Sequence, residues 1–149
     1  MIVIAHNIRS LHNVGSIFRS CDVFSVEKLY LTGITGAPPR KEIAKVALGS
    51  EHHVAWEHVD DVFELLTRLK KEGIKIIALE NGVGAQSIDT VAPGEPCALI
   101  LGNEVEGIDR AILDQCDVLV EISMPGRKQS LNVSVATGIA LFALTRPPR

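Results

Sequence analysis

At 149 residues, 46% of them hydrophobic and 22% charged, the chain is sized for one ordinary domain with a full core, and this composition excludes a disordered or low-complexity protein. No apolar run reaches the ~20 residues a membrane helix needs, and Met1-Ile-Val-Ile-Ala has no positively charged lead, so it reads as a buried strand rather than a signal peptide. The net charge of −3 is divided along the chain, with balances of +3 over residues 1–50, −9 over 51–120 and +3 over 121–149. The two basic ends could hold a polyanion if they fold together; an unevenly charged solvated surface accounts for the same numbers.

In chain order, buried strands are predicted at Ile2–Ala5, Lys28–Thr32, His53–Trp56, Ile74–Leu79, Ala98–Leu101 and Val118–Ile122. Helical periodicity lies between them. Val14–Phe24 follows Asn13 as an acceptable N-cap, and Pro39–Leu48 starts on proline and stops at Gly49. Asp61–Glu72 opens on acids and closes on Lys70, Lys71 and Gly73, matching the helix dipole at both ends. Ile108–Asp114 is a short helix and Leu131–Leu144 a long one. Strands alternating with helices mean an α/β fold, a mostly parallel sheet with helices on both faces, in a single domain spanning 1–149.

The last helix is apolar on nearly every side, so it should be buried all round, and a second copy of the chain covering its outer stripe is the simplest account. Cys21, Cys97 and Cys116 are odd in number and widely spaced in apolar settings. They read as small buried hydrophobes in a reducing, cytoplasmic compartment. No His/Cys/Asp cluster has the spacing of a metal site. Adjacent His52 and His53 would point to opposite faces of a strand.

Three blocks sit where predicted strands meet loops: Asn13-Val-Gly-Ser-Ile-Phe-Arg19, Leu101-Gly-Asn-Glu-Val-Glu-Gly107, and Ile122-Ser-Met-Pro-Gly126 running on to Ser130-Leu-Asn132. α/β proteins place ligand sites at such junctions. Neither Gly-x-Gly-x-x-Gly nor Gly-x-x-x-x-Gly-Lys-Ser/Thr occurs, which argues against a nucleotide-dependent oxidoreductase on a Rossmann sheet. Gly102 and Gly107 would let a ligand touch backbone, while an ordinary turn would need only one glycine. Gly15 gives room for close approach or for tight helix packing. Ser130 alone would read as the last helix's N-cap, Asn13 as the first helix's, and Met124 as core.

The blocks resemble the signatures of the SpoU (TrmH-like) branch of the SPOUT superfamily, RNA 2′-O-ribose methyltransferases that use S-adenosylmethionine, over Asn7 to about Leu144. The resemblance implies a SPOUT fold with a C-terminal trefoil knot and a homodimer. It makes Arg19, Asn13, Asn132 and Glu104 the catalytic set. Leu101, Gly102, Gly107, Ile122, Met124, Ser130 and Leu131 become the cofactor site, with adenine cradled by backbone and apolar contact. Asn7, Arg9, Arg127 and Lys128 become RNA-binding residues, with His6 and His12 bordering them. Arg40, Lys41 and Lys45 extend that surface or form a solvated helix face.

A guanidinium is a permanent cation, so Arg19 suits a phosphate clamp that stabilises a developing alkoxide better than a general base; a salt bridge to Glu104 or Glu106 is the plainer alternative. The expected partners are RNA, tRNA more than rRNA since no separate RNA-binding segment is evident, with no membrane and no metal. The competing reading is a non-catalytic RNA-binding protein on the same fold.

Overall fold

The computed structural model describes residues 1–92 and 94–147. Seven strands, β1 (Ile2–His6), β2 (Lys28–Thr32), β3 (Trp56–Val59), β4 (Lys75–Leu79), β5 (Gln86–Ser87), β6 (Cys97–Leu101) and β7 (Val118–Glu121), form one sheet in the order β3-β2-β1-β6-β4-β7-β5. Every pairing is parallel. β1 lies inside the sheet, with Ile2 opposite both Lys28 and Ala98. The helices are α1 (Leu11–Val23), α2 (Lys41–Ala47), α3 (Val62–Lys71), α4 (Arg110–Leu113) and α5 (Val133–Thr145).

Strand alternation sends side chains to two cores, one on each face, as a parallel sheet requires. Val3, Ala5, Leu29, Leu31, Leu99 and Val120 meet Val14, Ile17 and Phe18 of α1, Ile43 of α2 and Leu141 of α5. On the opposite face Ile4, Tyr30, Ile76 and Ile100 meet Leu65, Leu66 and Leu69 of α3 and Ile112 of α4. The expected α/β sheet with helices on both faces is what forms.

The element boundaries differ where side chains cap. α1 begins at Leu11, because the Ser10 hydroxyl accepts the Asn13 amide at 3.2 Å; Asn13 is inside the helix rather than its cap. Likewise Asn132, not Ser130, caps α5 by accepting the amides of Ser134 and Val135. α2 starts at Lys41, after Pro38 and Pro39. α4 is shorter than expected, since the Ile108 amide donates to the Glu80 carboxylate and the helix starts only after Asp109. β3 lies later than His53–Trp56: Gly49 at φ 93° turns the chain into a single 3₁₀ turn over Ser50–His52, so extended pairing starts at Trp56. His52 and His53 therefore lie outside any strand, beside Glu51 (3.6 Å) and Asp22 (3.3 Å). Two-residue β5 was too short to carry a periodic signal.

The three cysteines are free. Burial raises all of them, Cys21 to about 12 and Cys116 to about 11, so they are protonated thiols. No helix among the described residues is long and apolar enough to cross a membrane.

α5 is not buried all round within one chain. Its inner side is buried through Ala140, Leu141 and Leu144, but within one chain its outer side shows Val135, Ile139 and Phe142 at 51%, 39% and 63% exposure. It packs beside α1, where Phe24 meets the Phe142 ring edge-on at 6.5 Å. The neighbouring exposed stripe of α1 carries His12, Arg19 and Val23.

Gly15 serves helix packing. A Cβ there would stand 2.6 Å from the Ile43 carbonyl oxygen and 3.0 Å from the Val46 Cβ. Gly15→Ala should therefore push α2 off α1 and lower stability by about 1–3 kcal/mol, read as a lower urea midpoint at unchanged slope.

Candidate active site

The carboxyl ends of the adjacent strands β6, β4 and β7 open into a cavity of about 190 Å³. β6 contributes Leu101 and Gly102, β4 contributes Leu79, Glu80 and Asn81, and the chain leaving β7 contributes Ile122 and Met124. The loop Asn103–Gly107 forms one wall, and Ser130, Leu131, Val133 and Ala136 another. All seven residues expected at a cofactor site, Leu101, Gly102, Gly107, Ile122, Met124, Ser130 and Leu131, thus line one cavity.

One glycine in that wall is required by space and the other by its backbone conformation. A Cβ on Gly102 would come 2.5 Å from Ile108 and 2.6 Å from the Gly107 carbonyl. Gly107 sits at φ 71° and forms a two-way bridge with Asn103 (3.0 and 2.9 Å) that closes the loop. The Asn103 side chain holds the same loop, accepting the Val105 and Glu106 amides and donating to the Asn7 carbonyl at 2.9 Å.

A hydrogen-bond chain ties the three sequence blocks together. The Glu104 carboxylate accepts the amides of Arg9 and Ser10, both at 3.0 Å, and the Asn13 side-chain amide at 3.1 Å. The Asn13 oxygen in turn accepts from the Asn132 side chain at 3.2 Å. Glu104, Asn13 and Asn132 border a second, shallower opening beside the cavity, together with Arg9, Leu131 and Val133. Burial opposes ionisation of Glu104, but the amides of Arg9, Ser10 and its own residue and the Asn13 side chain outweigh it, so its pKa is lowered.

Three of the four expected catalytic residues are therefore joined in one hydrogen-bond chain, with Asn13 in the middle. Arg19 is not. Six positions along a helix turn it by about 240° from Asn13. It lies exposed on the outer stripe of α1, lines neither opening and forms no ion pair with Glu104 or Glu106 among the described residues.

The expected RNA-facing residues divide. Arg127 and Lys128 are exposed in the loop after β7, and Arg9 stands at the second opening. Asn7 is committed within the fold instead: at φ 54°, a conformation asparagine tolerates, its side-chain oxygen accepts the Ile34 amide at 3.0 Å. His6 is buried, 2.9 Å from the Thr32 hydroxyl, with its pKa lowered by burial against a smaller opposing pull from Asp109. His12 is exposed. No group of three His, Cys, Asp or Glu residues able to hold a metal occurs among the described residues.

The sequence reading missed Glu80 and Asn81. Both follow directly on a buried strand at the edge where parallel sheets bind ligands, which was the available signal. Asn81 donates to the Gln129 carbonyl at 2.9 Å and so ties the β4 end to the loop before α5.

Fold and site together define a parallel α/β domain whose ligand cavity is walled by backbone and apolar side chains instead of a phosphate-binding glycine loop. The family described as "SpoU rRNA Methylase family" matches residues 1–142. A tRNA (guanosine(18)-2′-O)-methyltransferase from Aquifex aeolicus is 34% identical over 98% of this chain and 69% of that protein. The crystal structure of the A. aeolicus TrmH/SpoU tRNA modifying enzyme superposes with TM-score 0.88 at 34% identity, over 97% of this chain and 73% of that one. The AdoMet-bound rRNA methyltransferase from Sinorhizobium meliloti superposes with TM-score 0.88 at 26% identity, over 96% of this chain and 54% of that one.

The chain belongs to the SpoU rRNA methylase family, as its three blocks lead one to expect. It spans 57% to 59% of the length of seven other curated relatives.

Because the Glu104 pKa is lowered by folding, its contribution is present above the unfolded value and is lost as pH falls through the folded one. The Arg9 and Ser10 amide proton resonances should therefore titrate together, with a common midpoint below that of an unhindered glutamate. Independent midpoints, or none in that range, would show that Glu104 does not hold this loop in solution.

Proposed function

We propose that the chain transfers a methyl group from S-adenosylmethionine to a ribose 2′-hydroxyl of RNA, with tRNA the first substrate to test. The reading is carried by the hydrogen-bond chain through Asn13 that joins the first block to the second and third, which line the cavity. The cavity suits an adenosine: Leu101, Ile122, Met124 and Leu131 offer apolar walls. Among the described residues, no backbone amide from Ser123 to Leu131 donates within the protein, so main-chain donors are free to read a base edge. S-adenosylmethionine supplies an electrophilic methyl on a sulfonium, which leaves as a thioether and needs no acid.

What the protein must add is position and charge. Asn132 and Asn13 border the second opening, beside the cavity, and are suited to orient a ribose. Arg127 and Lys128 are suited to RNA phosphates. Arg19 clamps the phosphate beside the reacting ribose and stabilises the oxygen as its proton is lost. The relatives support RNA as substrate without deciding its kind: one acts on tRNA and the other is an rRNA methyltransferase.

Arg19 has to come from a second copy of the chain. Within one chain it lies exposed and lines neither opening, on the helix that packs beside α5 with its apolar stripe of Val135, Ile139 and Phe142. A homodimer formed over this face would cover the stripe and bring Arg19 towards its partner's second opening. The knot belongs to the same reading. It is supported by the chain after β7 lining one cavity with the Asn103–Gly107 loop and being held at Gln129 by Asn81 before α5 packs beside α1. The free, protonated thiols suit the cytoplasm.

Arg19→Ala should abolish transfer of labelled methyl to total tRNA while leaving S-adenosylhomocysteine affinity within about twofold of wild type; loss of both together would refute this division of labour. A wild type that binds the cofactor product but labels neither tRNA nor rRNA would favour a binding protein on the same fold. Phe142→Asp should convert a dimer at micromolar concentration into a monomer by light scattering, with methyl transfer lost.

A further inference from the structure

Glu80 is the one ionisable side chain in the cavity wall besides Glu104, and its setting is unlike a surface carboxylate's. It is half-buried immediately after β4, at the middle of the three strand ends that form the cavity. Oε2 accepts the Ile108 amide at 3.1 Å and Oε1 accepts the Asn81 amide at 3.0 Å. A Cβ on Gly107 would lie 2.2 Å from Oε2, so the carboxylate rests directly on the glycine backbone of the cavity wall. Among the described residues no Lys, Arg or His forms an ion pair with it.

Two amides occupy two of the roughly four acceptor positions of a carboxylate. Capping Ile108 needs one neutral oxygen, which an amide side chain would supply without the cost of withdrawing a charge from water. The charge is explained by a ligand that donates to it. A vicinal diol offers two O–H donors at a spacing that a carboxylate can accept together, and acidic side chains at a strand end serve a ribose hydroxyl in this way in dinucleotide-binding folds.

On the reading that this cavity holds S-adenosylmethionine, we propose that Glu80 recognises the ribose diol of the cofactor and makes the site select ribonucleosides over deoxyribonucleosides. The same carboxylate clasps the Gly107–Ile108 wall, so ligand and loop share one anchor.

Calorimetric titration of wild type and Glu80→Ala with three ligands tests this: S-adenosylhomocysteine, its 2′-deoxy analogue, and 5′-methylthioadenosine, which keeps the diol but lacks the amino-acid end. Wild type should bind the deoxy analogue about tenfold more weakly than S-adenosylhomocysteine, the loss expected for one hydrogen bond to a charged group. Glu80→Ala should weaken S-adenosylhomocysteine about ten- to a hundredfold, weaken methylthioadenosine by the same factor, and lose the discrimination between ribose and deoxyribose.

If Glu80→Ala binds all three more weakly but still discriminates, the residue only clasps the loop and the proposal fails. If it weakens S-adenosylhomocysteine and spares methylthioadenosine, the carboxylate serves the amino-acid end and the proposal also fails. Glu80→Gln, which keeps an oxygen for Ile108, carries the same comparison should the alanine variant not fold, with reduced discrimination expected. A folded wild type that binds none of the three overturns the cofactor reading itself, and this inference with it.

Discussion

The Glu104 carboxylate is the contact on which the site depends. Its acceptors take two consecutive amides at the start of α1 and the side chain of Asn13, and through Asn13 it reaches the cap of α5. The segments it joins lie 91 to 95 residues apart in the chain, so loop closure opposes their meeting. A charged acceptor facing amide donors is well suited to hold them, because such bonds are shorter and stronger than neutral ones. Without it the Asn103–Gly107 wall would still close on itself through its own bridge, but it would no longer be registered against α1 and α5.

That registration explains why the glycines fall where they do. Gly102 is packed against Ile108 and the Gly107 backbone, leaving no volume for a side chain, and Gly107 holds a positive φ under the Glu80 carboxylate. The wall is therefore backbone, and what it offers a ligand is shape and peptide dipoles rather than functional groups. Specific chemistry is left to the few polar side chains at its ends: Glu80, Asn13, Asn132 and Ser130.

Much of this was legible in the residues. The strand and helix alternation, the parallel sheet, and the convergence of all seven cavity residues followed from apolar periodicity and from the three blocks. What the sequence hid were orientations and competitions between caps. Ser10 outcompetes Asn13, and Asn132 outcompetes Ser130, because the favoured oxygen is the one that tertiary packing leaves facing the helix amides. The left-handed turn at Gly49 displaced β3, since local backbone geometry overrides a short apolar run. Asn7 and His6 also hold the fold, through Ile34 and Thr32, which their positions in the sequence did not reveal. Glu80 carried no motif. Its meaning came only from the strand end on which it sits, which the order of the sheet reveals and the order of the chain does not.

The separation of Arg19 from the cavity has a genetic consequence. If each working centre draws its arginine from one chain and its cavity from another, a pair of chains contains two centres built from four halves. A chain damaged in Arg19 and a chain damaged in the cavity, each inert when paired with its own kind, would together assemble one intact centre out of two. Defects at these two places would then complement one another, whereas two different defects within the same half would not.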